Sequence, residues 1–149
     1  MKEGRLNLAD DLVDACAEAV GNRSAAVRAV RALCRSFGGQ PIYIPARDGG
    51  GVSAEEIRGV LVESVGEHEA RLMLSNIMAL LGGVQVYVPK ESRAFRECIA
   101  QEVFEKHDGS IGSMRELCRE YSISFVQIYR LWREGRTIKN KEYHKEKEK

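Results

Sequence analysis

Long apolar runs are missing from this chain of 149 residues. No stretch approaches the roughly 20 apolar residues that cross a bilayer, and the opening MKEGRLNLADD lacks a signal peptide's apolar core. A cytoplasmic protein with no membrane partner is expected. Cysteine is scarce as well. Cys16, Cys34, Cys98 and Cys118 stand far apart with no C-x-x-C spacing, which argues against a zinc site or a disulfide and for reduced thiols packed in or beside helical stripes. The three histidines, His68, His107 and His144, sit in charged surroundings at no ligand spacing. A phosphate-binding glycine loop, a nucleophile–base pair and paired carboxylates on an apolar face are all lacking, so neither an enzyme nor a cofactor is expected.

Proline is rare, yet two of the three prolines fall at equivalent places. The stretch FGGQPIYIP ending at Pro45 returns as LGGVQVYVP ending at Pro89, at an offset of 44 residues. Gly38 and Gly39 map onto Gly82 and Gly83, and Tyr43 onto Tyr87. Upstream, Ala26, Val30, Leu33 and Phe37 face Ala70, Leu74, Ile77 and Leu81 without a gap. Such an echo marks one structural unit used twice. Each copy reads as an apolar-periodic helix, a glycine pair that supplies its left-handed end, a β-branched strand, and a proline that closes it.

The first copy opens with a helix on Leu8, Leu12, Val13, Cys16 and Val20, capped by Asn7 and stopped by Gly21 and Asn22. A second helix over 24–37 puts Arg23, Arg28, Arg31 and Arg35 on its other side, read as a solvated face ahead of a nucleic-acid contact. A strand follows at Ile42, Tyr43 and Ile44, then a glycine linker, Gly49 to Gly51. The second copy opens with a Ser53–Glu56 capping box and continues into a helix over 67–81, apolar on more than one side and expected at the centre of the core. Two short strands need each other and a helical layer. With Ile42, Ile44, Val86 and Val88 facing inward, Tyr43, Gln85 and Tyr87 lie on the opposite face, either as a contact surface or as plain cover. Ser92 is expected to cap a linker helix over 93–106, and Asp108, Gly109 and Gly112 to form a hinge.

Charge is uneven. Residues 113–149 carry ten Lys/Arg against six Glu, while residues 1–112 carry thirteen Lys/Arg against sixteen Asp/Glu, although the net charge is only +1. The C-terminal quarter is therefore the part drawn to a polyanion. There Ser113 and Glu116 read as a capping box before a stripe of Met114, Leu117, Cys118 and Tyr121. Ser122 to Ser124 form a tight break, and Ser124 with Gln127 opens a second helix that buries Ile128 and Leu131. Two short helices so joined form a helix-turn-helix pattern. Its outward residues are candidates for the major groove: Ser124 and Gln127 as hydrogen-bonders, Phe125 and Val126 against thymine methyls, Tyr129 beside them, Arg130 as a guanine or phosphate ligand, and Arg133 reaching a phosphate. Arg136, Lys139 and Lys141 would hold phosphates. Trp132 reads as a packing anchor, and 139–149 as a charged flexible tail.

The block from Leu81 to Arg133 resembles the Mor/C family of phage transcription activators. Gly82, Gly83, Gln85, Tyr87 and Pro89 match its strand, and Leu117, Tyr121, Phe125, Ile128 and Tyr129 its helix-turn-helix. The family's F-x-G turn is altered here, with Phe104 and Gly109 set further apart. The resemblance implies a dimerisation domain whose strand pairs with that of a second subunit, with Gln85 and Tyr87 near DNA, and RNA polymerase as a partner. Residues 1–51 depart from it as an extra copy with Pro41 in place of the strand glutamine, so the ribbon forms either in a homodimer or in an intrachain pseudo-dimer. The expected fold is mainly α: a duplicated domain over 1–90 (units 7–45 and 51–89) with a two-stranded β-ribbon, a linker helix over 91–108 and a helix-turn-helix domain over 109–138. Two functions stay open, a DNA-binding transcription regulator on double-stranded DNA and a non-catalytic interaction protein that sequesters a homologue.

Overall fold

The computed structural model describes residues 8–47 and 52–147. The chain is mainly helical with one small antiparallel sheet, in the order α1 (Leu8–Val20), α2 (Arg23–Phe37), β1 (Gln40–Ile44), α3 (Val52–Val65), α4 (Glu67–Leu81), β2 (Val84–Val88), α5 (Glu91–Ala94), α6 (Arg96–Lys106), α7 (Ile111–Tyr121) and α8 (Phe125–Lys147). It divides into two compact units, Met1–Ala94 and Phe95–Lys149. The cap expected at Asn7 and the linker at Gly49 to Gly51 lie outside the described residues.

In the N-terminal unit the 44-residue offset carries α2 onto α4 and β1 onto β2, residue for residue. Helices α1 to α4 form a ring, each packed on two neighbours, and the ribbon covers it. β1 pairs antiparallel with β2, and Ile42 faces Val86, its own repeat equivalent. A pseudo-twofold therefore passes between those two residues. Ile44 and Val88 are almost fully buried, while Tyr43 and Tyr87 are exposed. The period of two thus places the inner and outer faces as the alternation of side chains requires.

The glycine pairs divide their labour. Gly39 and Gly83 hold φ of 85° and 82°, and their N–H groups donate to Val88 O and Ile44 O at 2.7 Å each. Gly38 and Gly82 have ordinary φ but lack room for a side chain: a Cβ on Gly38 would sit 2.8 Å from Lys90 Cα, and one on Gly82 3.1 Å from Ala46 Cα. The repeats therefore touch backbone to backbone at both ends of the ribbon.

Several local expectations are corrected. Ser53 lies inside α3, which is already formed at Val52, so it is not the cap. Asn22 does more than stop α1, because its side chain caps α2 by accepting from Ala25 N at 3.1 Å. The basic side of α2 is not simply solvated. Arg31 and Arg35 both donate to the buried carboxylate of Glu91 at 2.8 Å, and Arg28 donates to Ser64 O. α4 is not enclosed on all sides, since Leu72 and Leu80 remain exposed. The expected linker helix is broken at Phe95, whose backbone leaves the helical region (φ −121, ψ 39). Ser92 lies within α5 rather than capping a helix from Arg93, and the following α6 packs on α8 as part of the C-terminal unit.

Candidate nucleic-acid interface

The C-terminal unit is built on Ile99, Ala100 and Val103 of α6, Leu117 and Tyr121 of α7, and Ile128 and Leu131 of α8. Apolar side chains at a helical period give each helix one buried stripe, and the three stripes close on one another. α6 and α8 come close at Gly135, where a Cβ would collide with Ala100 O and lie 2.7 Å from Phe104 Cβ. Polar ties flank the crossing. Arg96 clasps Glu134 in a bidentate pair, with contacts of 2.7 to 3.1 Å, and Lys139 lies 3.6 Å from Glu105.

α7 is held to α6 at its far end. Tyr121 Oη donates to Glu102 at 2.7 Å and accepts from Lys106 Nζ at 3.1 Å, while Lys106 also pairs with Glu120 at 2.6 Å. Burial, with the Glu102 bond, pushes the Tyr121 phenol up to about 12, and the Glu120 bond raises Lys106 to about 12. At the near end the cap is Ser110, not Ser113: Ser110 Oγ accepts from Ser113 N at 3.0 Å. Asp108 decides this by accepting from Ser110 N at 2.8 Å, and hydrogen bonding from the Ser110 side chain, then from its backbone, lowers the Asp108 pKa. Ser113 Oγ is taken up by Asp108 N and by His107 Nδ1.

The turn into α8 forms as expected. Ser122 adopts a left-handed backbone (φ 55, ψ 44) and its N–H donates to Cys118 O. Ser124 and Gln127 cap each other, with Gln127 N donating to Ser124 Oγ at 3.2 Å and Ser124 N to Gln127 Oε1 at 3.3 Å. Their oxygens thus belong to the helix start, and the amide nitrogen is the group of Gln127 not spent on the cap. Phe125, Val126 and Tyr129 stand 49, 59 and 52% exposed on the first two turns, with Arg130 and Arg133 exposed beside them.

Tyr129 is not loose. Its ring stacks on Trp132 at 6.2 Å, and Trp132 in turn meets Phe104 at 5.9 Å and the edge of His107 at 6.2 Å. Trp132 is the anchor expected, but Arg136, read as a phosphate ligand, also leans over its ring at 5.9 Å. Lys141 is exposed. The stretch 139–147, read as a flexible tail, continues α8. No glycine or proline follows Gly135 to end the helix, and Lys147 reaches back over Tyr143 one turn earlier. Tyr43, Gln85 and Tyr87 sit on the ribbon of the N-terminal unit. Unforeseen from the sequence were the Gly135 crossing and Ile111, 67% exposed at the start of α7.

The Mor transcription activator family model matches residues 50–146. The chain belongs to the Mor transcription activator family. No curated protein and no solved structure matches it. The Mor match begins at residue 50 and so takes in α3 to β2 and the C-terminal unit, leaving α1 to β1 outside. The Mor family is one of transcription regulators rather than enzymes. Among the described residues no group of three His, Cys, Asp or Glu is placed to hold a metal ion, and no helix is long and apolar enough to cross a membrane.

Proposed function

We propose that the chain is a sequence-specific regulator that binds double-stranded DNA through α7 and α8, with α8 entering the major groove. The carrying observation is the row Phe125, Val126 and Tyr129, held half exposed at the start of a capped helix and followed by Arg130 and Arg133. Phe125 and Val126 stand outside the core and Tyr129 keeps one side open beyond its stack on Trp132, and only the major groove is wide enough to admit a helix bearing them. Phe125 and Val126 suit thymine methyls, Arg130 suits the paired acceptors of guanine, and the nitrogen of Gln127 suits a base acceptor. Ser124, its hydroxyl oxygen engaged in the cap, keeps its O–H for a base or phosphate. Arg133, Arg136, Lys139 and Lys141 hold phosphates. Tyr43, Gln85 and Tyr87 form a second, smaller DNA contact. Family membership supports activation at a phage or prophage promoter with RNA polymerase as the protein partner.

The test is an electrophoretic shift on duplexes selected by the protein from a random pool. Arg130→Ala is expected to weaken binding to the selected site about 5- to 150-fold, the worth of one bidentate base contact. Unchanged binding would remove α8 from the groove.

A further inference from the structure

We propose that a single chain acts alone on a non-palindromic DNA site, its first repeat standing where a second subunit would otherwise pair. The inference rests on the DNA-binding reading above and adds the class of site. A site with dyad symmetry is read by two heads related by a twofold. This chain spends its twofold internally. Each strand finds its partner in the same chain, and the pairing centres on the equivalent residues Ile42 and Val86. The family match covers one repeat with the helix-turn-helix, and the repeat outside it supplies the opposing strand. Two scaffolding copies thus carry one reading head.

The pseudo-symmetry also fails where DNA would feel it. On the outer face of the ribbon, Tyr43 lies opposite Gln85 and Tyr87 opposite Pro41. Pro41 occupies the place equivalent to Gln85 and has neither a side-chain donor nor an N–H. The outer face of the ribbon therefore presents two tyrosines but a single side-chain amide. Glu91 holds Arg31 and Arg35 after the second strand, whereas the equivalents of those three residues are Arg47, Ser75 and Ala79, which cannot form that cluster. The rest of the described N-terminal unit also offers little apolar surface to a second copy. The large apolar side chains exposed among the described residues of this unit, apart from the tyrosines, are Leu72, Leu80 and Val84. Three partly exposed side chains fall far short of the roughly 800 Å² per partner of a stable interface.

The experiment takes the full chain through selection on a random duplex pool, then measures the complex on the enriched duplex by sedimentation velocity at micromolar protein. A motif without dyad symmetry and one chain per duplex is the expected result. Two chains per duplex, or a free protein that sediments as a dimer, overturns the proposal. A pool with no enrichment overturns the DNA-binding reading and the proposal with it. The strand pairing is then read separately in a Tyr43→Cys/Gln85→Cys variant carrying Cys98→Ser to remove the exposed thiol. Oxidation should give a cross-linked species of one chain's mass on a non-reducing gel, and a product of twice that mass shows pairing between chains.

Discussion

Ser122 and Gly135 show how a single position can oppose or serve its surroundings. Ser122 is the non-glycine residue with positive φ among the described residues, and the left-handed region costs an L-residue about 1 kcal/mol. Ser122→Gly should therefore stabilise the C-terminal unit by about 0.5–1 kcal/mol, part of the relief being lost to the greater freedom of glycine in the unfolded chain. Gly135→Ala should cost about 3 kcal/mol, because the added methyl meets the backbone of α6 rather than a side chain that can swing away. Urea titrations of both variants check the opposite signs. Titrating groups add a second prediction. Burial pushes Cys16 up to about 12, and burial with the charge of Glu91 raises Cys34 to about 11. With Tyr121 and Lys106, every such folded value exceeds the ordinary one, so the stability each group carries is complete below its ordinary value and lost as pH climbs toward the folded one. The unfolding midpoint should fall progressively from about pH 9, where a free thiol ionises, and Cys16→Ala/Cys34→Ala should delay that fall toward pH 10.

Helices and strands take their strength from partners distant in sequence, and Glu91 is the sharpest instance. It lies in a four-residue helix with little stability of its own, yet its carboxylate is 7% exposed between Arg31, itself 17% exposed, and Arg35. Removing one partner of a buried pair strands the other charge. Arg35 is largely exposed and adds little, so Glu91→Ala should cost the N-terminal unit about 2–3 kcal/mol in a denaturant titration, while Asp14→Ala, whose pair with Arg23 is 66% exposed on both sides, should stay within about 0.5 kcal/mol. The same contrast decides what could be read beforehand. α2, α4 and both strands were legible because an apolar period, a glycine pair and a proline repeat at a fixed offset, each set by local chemistry. The turn at Ser122 and the cap of Ser124 with Gln127 were legible for the same reason. Ser110 and Ser113 both stand ahead of an apolar stripe, and only the bond from Ser110 N to Asp108 chooses between them. The break at Phe95, the clamp on Glu91 and the crossing at Gly135 depend on residues up to 60 positions away, and no local pattern announces them.

Across the whole molecule, a net charge of +1 conceals a division of labour. Four arginines of the N-terminal unit are engaged by the protein itself, Arg31 and Arg35 by Glu91, Arg28 by Ser64 O and Arg23 by Asp14, whereas Arg130, Arg133 and Lys141 on α8 face outward. If α8 lies in the groove, the salt dependence of binding should be set by this helix. Each phosphate neutralised releases condensed counterions and contributes about −0.9 to the slope of log K against log salt. Arg136→Gln should therefore flatten the slope by about one and weaken selected and random duplexes alike, because a phosphate contact carries no sequence information. Arg130→Ala should instead narrow the gap between the two duplexes. Arg71→Gln, an exposed change on α4, should alter neither. Binding isotherms from 50 to 200 mM salt, a range over which 6 to 10 phosphate contacts would cost about 10³- to 10⁵-fold in affinity, separate the three variants. A slope that answers to Arg71 and ignores Arg136 would place the electrostatic footprint on the repeats rather than on the helix-turn-helix.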